Sequence, residues 1–392
     1  SRFVTVGREV VKQDYELLIL INPPGELLEI TEQGNPRSYL SRAANMTKES
    51  LIQPYGIAAD NNFYMTNHQD LIFVPEVELK DNQRMAEENP VRVEVERAVA
   101  KVVVSGVPEV VPHGDRIDNL KWGLDVTNQY TYWMRKMTFI ANSGGVPGEM
   151  EQLNSGYREE RYAEDPNFTG FSAWNGGNPA GQFEYLSGTP ELTKDFDDYD
   201  YTLENTMEAV EQRHDVTTRV VISGTYTPNG FGSVATRNSG GISFYYFKGN
   251  AIRVEAMRDM VNDRNLIPQE LRDAGLEQAI NDVLAWNPNA FNSPTASFSV
   301  GGLNFYYEGV CYYTVLIRHF SNNMVPVLMG YGRYGVVRNN VYQLSINKII
   351  GPGQPVINPP GTDPDDEDTS WISADVNIMR WYIRNQNVEE LL

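Results

Sequence analysis

The stretch that decides the fold spans residues 91–104 and reads Val-Arg-Val-Glu-Val-Glu-Arg-Ala-Val-Ala-Lys-Val-Val-Val. Valines occupy the odd positions 91, 93 and 95, whereas Ala98, Ala100, Val102 and Val104 occupy even positions. An apolar alternation of period two is typical of a strand with one buried face. Because such a pattern cannot change parity within one flat strand, we predict that the chain bulges or crosses from one sheet or domain to another near Arg97.

The rest of the chain also indicates strands separated by turns. Aromatic residues make up 11% of it, and 32 glycines and 22 prolines punctuate the apolar runs, which favours an all-β fold. The predicted strands are residues 17–21, 63–67, 70–74, 120–126, 219–226, 243–247, 310–317 and 341–346. One helix is predicted over 268–284, and the long segment 141–196 is predicted to be a surface excursion of a β-domain.

Charge and motif content exclude several function classes. The net charge of −20 disfavours nucleic acid and anionic membrane partners. The single Cys311 cannot form an intrachain disulfide, and four scattered histidines provide no zinc spacing. Cys311 and His319 are too far apart on one strand to form a catalytic pair, and no Gly-x-Ser-x-Gly motif occurs. We therefore expect no catalytic residue, no metal and no cofactor.

Two features leave a carbohydrate-binding or carbohydrate-active β-sandwich open as an alternative. The acidic cluster from Asp195 to Glu204 lacks the glycine and terminal glutamate of a calcium loop, so we interpret it as a solvated loop. The tryptophans Trp133, Trp174 and Trp286 could stack on sugars, although core packing is the more common role of such residues.

The end of the chain has its own composition. Residues 351–370 form a linker rich in proline, glycine and acidic residues, which we predict does not pack. The following segment places Ile372, Ala374, Val376 and Ile378 on one parity and then Trp381 and Ile383 on the other. An apolar strand on such a leash must return to its own sheet or complete another, because an exposed edge would aggregate.

Four strings resemble the Bacteroidales fimbrillins of FimA and Mfa type, in the order of that family and closest to the subunit of the minor fimbria. They are residues 93–102, residues 119–122 with the tyrosine-rich stretch to 137, residues 220–228 and residues 335–349. The leash and the final strand with Trp381 are also similar to the end of a minor-fimbria subunit.

The resemblance implies two transthyretin-like Greek-key β-sandwich domains, with a few short helices in insertions of the C-terminal domain. The expected units are 1–104, 105–350 and the leash with its strand, 351–392. The N-terminal unit is expected to lack its first strands and the lipid-bearing cysteine, so no maturation site is assigned. Arg97, Ala98, Ala100 and Lys101 belong to the signature strand.

The function implied is a non-enzymatic stalk subunit of a surface fimbria that supports adhesion and biofilm formation, with a tip or anchor subunit as the alternative. Implied partners are other copies of the chain, tip and anchor proteins, an arginine-specific maturation protease, and host or bacterial surface receptors. Export as a lipoprotein precursor to the outer membrane is also implied. The predicted donor strand contains Trp371, Ile372, Ala374, Val376, Ile378, Trp381, Ile383 and Val388.

Overall fold

The computed structural model describes residues 10–28, 43–53, 56–59, 62–68, 71–136, 163–170, 179, 181–232, 241–319, 333–365 and 372–380. Strands in several sheets dominate these residues and helices are few and short, so the all-β prediction is confirmed. No helix in the described part of the chain is long and apolar enough to cross a membrane.

The described strands and helices have the following bounds. The strands are β1 (Tyr15–Leu17), β2 (Leu20–Ile21), β3 (Ala43–Asn45), β4 (Ala58–Ala59), β5 (Asn62–Phe63), β6 (Met65–Asn67), β7 (Ile72–Val74), β8 (Val95–Arg97), β9 (Ala100–Ser105), β10 (Glu109–Val111), β11 (Arg116–Asp125), β12 (Thr127–Asn128), β13 (Tyr130–Tyr132), β14 (Phe183–Glu184), β15 (Tyr199–Thr202), β16 (Arg219–Thr227), β17 (Phe244–Phe247), β18 (Asn250–Arg253), β19 (Phe298–Val300), β20 (Leu303–Tyr306), β21 (Val310–Leu316), β22 (Asn340–Ile350) and β23 (Ile372–Arg380). The helices are α1 (Gly25–Leu28), α2 (Lys48–Ile52), α3 (Gln83–Glu88), α4 (Val254–Asn262), α5 (Gln269–Asp273) and α6 (Leu276–Trp286).

Two sheets enclose the main core. One contains β22 at its centre, with β9 and β10 on one edge, β15 beyond β9, and β23 on the other edge. The second has the order β11-β16-β21. Residues at alternate positions of β9, β16 and β22 meet in one buried cluster that includes Val102, Ile222 and Leu344. This packing is why the period-two pattern of the sequence predicted these strands correctly.

A second core lies under the N-terminal strands. The short sheets β2-β6-β8 and β4-β5 contribute to a cluster that contains Leu51, Ile57 and Tyr64, and β1 pairs with β7 in a further short sheet. Trp133 and Leu203, from later in the chain, complete this cluster. The strand β13 also pairs with β3, so N-terminal and later segments share hydrogen bonds.

The chain changes sheets at Ala98 and Val99. Strand β8 pairs with β6, whereas β9 pairs with β15 and β22, so the predicted crossing near Arg97 is confirmed. The parity argument for it was wrong in part. Val91 is 40% exposed, whereas Glu96 is 1% exposed, so the even position next to Arg97 is buried before the crossing as well as after it. A paired buried carboxylate occupies the position that the pattern assigned to solvent.

A helical insertion lies between β18 and β19. The prediction of one helix over 268–284 was wrong, because Gly275 takes a left-handed φ of 93° and separates α5 from α6. Helix α4 was not predicted. Its Met257 packs with Leu276 and Ile280 of α6 beneath the sheet β18-β17-β20-β19.

Most of the predicted excursion over 141–196 lies outside the described residues, but its described parts pack closely. Phe168 and Phe183 are buried beside Val126 and Val216. The side chain of Asp165 is also buried, and it accepts hydrogen bonds from Asn167 and Asn128 at 2.6 and 2.5 Å. These parts are therefore anchored to the β-domain rather than lying on its surface.

Candidate assembly site

The final strand β23 lies on the edge of β22 in its own sheet. The pairing is antiparallel and runs from Asn340 opposite Arg380 to Ile349 opposite Ile372, with an irregularity between Ile346 and Lys348. Of the predicted donor residues, Ile372, Ala374, Val376 and Ile378 lie in this strand. Trp371, Trp381, Ile383 and Val388 lie outside the described residues.

The register of β23 matches the buried positions of β22. The four apolar residues of β23 lie opposite Ile349, Ile346, Leu344 and Tyr342, each 0% exposed. Asn347 is exposed at the irregularity. The buried residues of β22 are therefore even-numbered up to Ile346 and odd-numbered at Ile349. The edge of β22 is therefore a ten-residue site for an alternating apolar strand.

The leash packs, contrary to the prediction, over residues 351–365. Gln354 exchanges two backbone hydrogen bonds of 2.8 Å with Tyr312, and Ile357 exchanges bonds of 2.8 and 2.7 Å with Gly188. The absence of a side chain at Gly353 allows this approach, since a Cβ there would lie 2.1 Å from the Tyr312 carbonyl oxygen. Asp365 is 2% exposed and accepts a hydrogen bond of 2.6 Å from the Thr217 hydroxyl. Composition alone suggested a mobile linker because it carries no information on these backbone partners.

The signature strand forms the junction between the two cores. The backbone N–H and the guanidinium of Arg97 donate to the Asn339 side-chain oxygen at 3.3 and 3.4 Å. Ala98 belongs to the N-terminal core and Ala100 to the main core. The ammonium of Lys101 lies 4.0 Å from the centroid of the Tyr199 ring. Burial lowers the pKa of both Arg97 and Lys101.

A buried ionic network crosses the same junction. Arg135 Nε lies 2.9 Å from Glu96 Oε1, and Arg338 Nε donates to Glu204 Oε2 at 2.9 Å. The second Glu204 oxygen lies 3.9 Å from Arg135, which links the two pairs. All four side chains are at most 5% exposed. Glu96 lies in β8, Arg135 follows β13, Glu204 follows β15 and Arg338 precedes β22, so the network joins four segments of the chain.

Sequence reasoning missed this network and misread Glu204. The cluster at 195–204 was interpreted as a solvated loop, but Tyr199–Thr202 is a strand, and Asp200 is 7% exposed with an ion pair of 2.9 Å to Lys48. The available signal was weak, because Glu204 follows Leu203 and Arg338 follows Val336 and Val337, so each charge lies beside apolar residues. No local pattern says which of these charges are partners.

The residues considered for other chemistry have structural positions. Cys311 is buried in the main core, and burial raises its thiol pKa to about 11. His319 is also buried, with Nδ1 2.7 Å from the Tyr342 hydroxyl, and burial lowers its pKa to about 3. No group of three or more histidine, cysteine, aspartate or glutamate side chains in the described ranges could hold a metal ion.

The tryptophans that motivated the carbohydrate alternative support it little. Trp133 is 2% exposed and packs edge-on to the Tyr64 ring at 5.8 Å. Trp286 is 57% exposed and lies 5.4 Å from the Phe298 ring. Trp174 lies outside the described residues.

Comparison with known protein families gives a match to the part of the chain that contains β22 and β23. Residues 304–387 match the family model described as major fimbrial subunit protein type IV, fimbrillin, C-terminal. This range contains β21, β22 and β23. No curated protein sequence matches the chain.

Several solved structures are similar to the chain. A fimbrillin (fimA) of Porphyromonas gingivalis shares 16% identity, with 94% of this chain and 80% of that chain covered and a TM-score of 0.44. A putative cell adhesion protein of Parabacteroides distasonis shares 13% identity, with 96% and 78% covered and a TM-score of 0.42. The tip fimbrial protein Mfa3 of P. gingivalis shares 12% identity, with 93% and 79% covered and a TM-score of 0.35.

Proposed function

We propose that the chain is a fimbrillin that polymerises by donor-strand insertion, with β23 and the residues after it as the donor. The family match of residues 304–387 supports this proposal. In this proposal it is a structural subunit of a cell-surface fimbria rather than an enzyme, which the description of the matching family supports. The observation that carries the proposal is the position of β23, an edge strand whose alternating apolar residues match a buried register.

An edge strand of this kind can exchange its own sheet for the sheet of a neighbour. Both sheets offer unpaired N–H and C=O groups along a strand edge, so the backbone bonds lost on one are regained on the other. Burial of four or five donor side chains contributes about 10 kcal/mol, at about 1.5 to 3 kcal/mol each, before the cost of ordering the leash. Because β23 gives up comparable burial when it leaves its own sheet, the exchange gains only the difference between the two sites.

The packed part of the leash limits how far the donor can reach. Asp365 is anchored to Thr217, so the chain between it and β23 comprises residues 366–371. Six residues span at most about 20 Å when fully extended. The acceptor edge of a neighbour must therefore lie close to the β22 edge, unless residues 351–365 detach as well.

The acceptor is proposed to be the N-terminal sheet of the neighbouring subunit. Among the described residues its strands β2 and β8 are two and three residues long and lie at the edges of the order β2-β6-β8. Cleavage by an arginine-specific protease would open the accepting groove, and export as an outer-membrane lipoprotein precursor would precede it. Both steps, like the units 1–104, 105–350 and 351–392, follow from the family resemblance.

The proposed role within the fimbria is the stalk. A stalk subunit must accept one strand and donate another, whereas a tip subunit needs only to accept, so a leash with a terminal strand favours the stalk. Tip and anchor proteins would be its partners at the two ends. Adhesion to host or bacterial surface receptors and biofilm formation are the proposed outcome.

A crosslink between β22 and β23 tests the exchange directly. Gln343 and Asn377 lie opposite each other, so cysteines at both positions should form a disulfide that holds β23 on its own sheet. We expect the oxidised double variant Gln343→Cys/Asn377→Cys to form no filaments by electron microscopy and the reduced protein to form them. The two single variants are the controls. Filaments of normal length from the oxidised, crosslinked protein would overturn the mechanism.

A deletion gives a second test. Removal of residues 372–392 should abolish heat-resistant ladders on a gel.

A further inference from the structure

An open pocket of about 490 Å³ lies beside the helical insertion, where the start of α4 faces the loop before β19. Two arginines, Arg253 and Arg258, line it together with one carboxylate, Glu255. Its volume lies within the range of about 300 to 1,000 Å³ that small-molecule sites usually have. None of its lining residues belongs to the sheet that contains β22 and β23.

The two guanidinium groups give the pocket a positive local charge. Arg253 donates to the Gly230 carbonyl oxygen at 2.5 Å and lies 4.5 Å from the centroid of the Phe231 ring, which fixes its position. Within the described residues no carboxylate is ion-paired with Arg253 or Arg258. With Glu255 as the one carboxylate of the lining, the two guanidinium groups leave a net positive charge in the pocket, which favours an anion.

From the remaining lining we infer that the pocket binds a carboxylate-bearing saccharide. A planar guanidinium recognises a carboxylate through two parallel hydrogen bonds. The hydroxyls of Ser243, Ser293 and Thr295 line the same pocket and can bond to sugar hydroxyls. Glu255 can accept further sugar hydroxyl bonds, and its charge repels a doubly charged phosphate about twice as strongly as a singly charged carboxylate at the same distance.

The side chains are arranged to keep these donors available. The Ser243 oxygen accepts a hydrogen bond of 2.9 Å from the Glu308 backbone N–H, which orients the hydroxyl and leaves its proton free to donate. Phe231 also lines the pocket, and its ring holds the Arg253 guanidinium 4.5 Å from the ring centroid. The inference goes beyond polymerisation, because binding here would let each subunit hold a glycan.

The test uses the full unpolymerised chain and N-acetylneuraminic acid as the probe, with binding measured by calorimetry or by saturation-transfer NMR. We expect Arg258→Gln to weaken binding about tenfold or more, because one charge-assisted bond is lost. Arg84→Gln, on the exposed helix α3, removes the same charge elsewhere and should leave binding unchanged. Since Arg258 is exposed and has no ion pair with the described residues, the variant should keep the thermal midpoint of the parent.

Three results would overturn the inference. They are no binding of N-acetylneuraminic acid at millimolar concentration, equal binding by Arg258→Gln and the parent, and inorganic phosphate binding as tightly as the sugar acid. A neutral hexose should bind much more weakly than the acid. Because the assay needs no filament, its failure would leave donor-strand insertion intact, and the crosslink experiment would leave this site intact.

Discussion

The buried network at the junction predicts a large loss of stability when Arg338 is replaced by methionine. Arg338 is 1% exposed and donates to Glu204 at 2.9 Å, to the Thr131 hydroxyl at 3.2 Å and to the Tyr132 carbonyl at 3.1 Å. Burial lowers the pKa of Arg338, but the carboxylates of Glu204 and Glu96 outweigh burial and raise it, so the guanidinium stays charged.

The magnitude follows from the partner left behind. Arg338→Met leaves the Glu204 carboxylate buried, with Arg135 as its remaining cation at 3.9 Å. Removing one partner of a buried ion pair typically costs about 3 to 5 kcal/mol, because the other charge is left uncompensated. The exposed pair Arg84–Glu88 on α3 is the matched control, since its side chains are 78% and 54% exposed. Breaking that pair should cost about 0.5 kcal/mol or less.

Urea unfolding followed by tryptophan fluorescence measures both variants, because Trp133 is buried in the N-terminal core close to the network. The Arg338→Met loss should persist in high salt, whereas the small Arg84→Gln loss should shrink, since buried charges are screened less. Arg338→Met combined with Glu204→Gln should lose less than the sum of the single losses. A loss below about 1 kcal/mol for Arg338→Met would refute the reasoning from burial.

Three further predictions concern other buried groups. Burial raises the pKa of Asp165 to about 7 from its ordinary 3.8, so between these pH values the folded state binds one more proton than the unfolded state. The stability of the fold should therefore fall as the pH rises from 4 to 7. Thermal midpoints measured over this range should depend less on pH in Asp165→Asn, and an unchanged dependence would contradict the prediction. Burial raises the pKa of Cys311 to about 11, so the folded protein should not react with a thiol reagent at pH 8, and rapid labelling without denaturant would contradict the burial. A Cβ at residue 353 would lie 2.1 Å from the Tyr312 carbonyl oxygen, so Gly353→Ala should loosen the leash and speed its proteolysis. Gly361→Ala is the control and should not change the rate, because the nearest neighbour of a Cβ at residue 361 is a flexible side chain at 3.3 Å.

The strands of the main sandwich could be predicted because their burial is one-sided. In β9 and in the first part of β22, buried and less buried residues alternate, so the apolar pattern repeats in the sequence. The helical insertion was predicted less well. Apolar spacing over 268–284 is continuous through Gly275, and only the left-handed backbone at that glycine divides the segment into α5 and α6.

The candidate site was predicted in outline. The sequence indicated a terminal apolar strand, and the structure places β23 beside β22. Which edge it occupies depends on residues from 340 to 349, and these contribute no local signal to the segment at 372–380. The packed leash depends in the same way on Tyr312, Gly188 and Thr217, which are distant in sequence from it.

What the sequence by itself determined is the all-β class and the alternating terminal strand, because each depends on the order of polar and apolar residues along a short segment. Only the tertiary structure decided which charges are buried and which residues they pair with. Glu96, Arg135, Glu204 and Arg338 are charged residues in the sequence, and their burial is tolerable only because the fold brings two cations to two anions from four segments of chain. Pairing of this kind is a property of distance in space, which local composition does not encode.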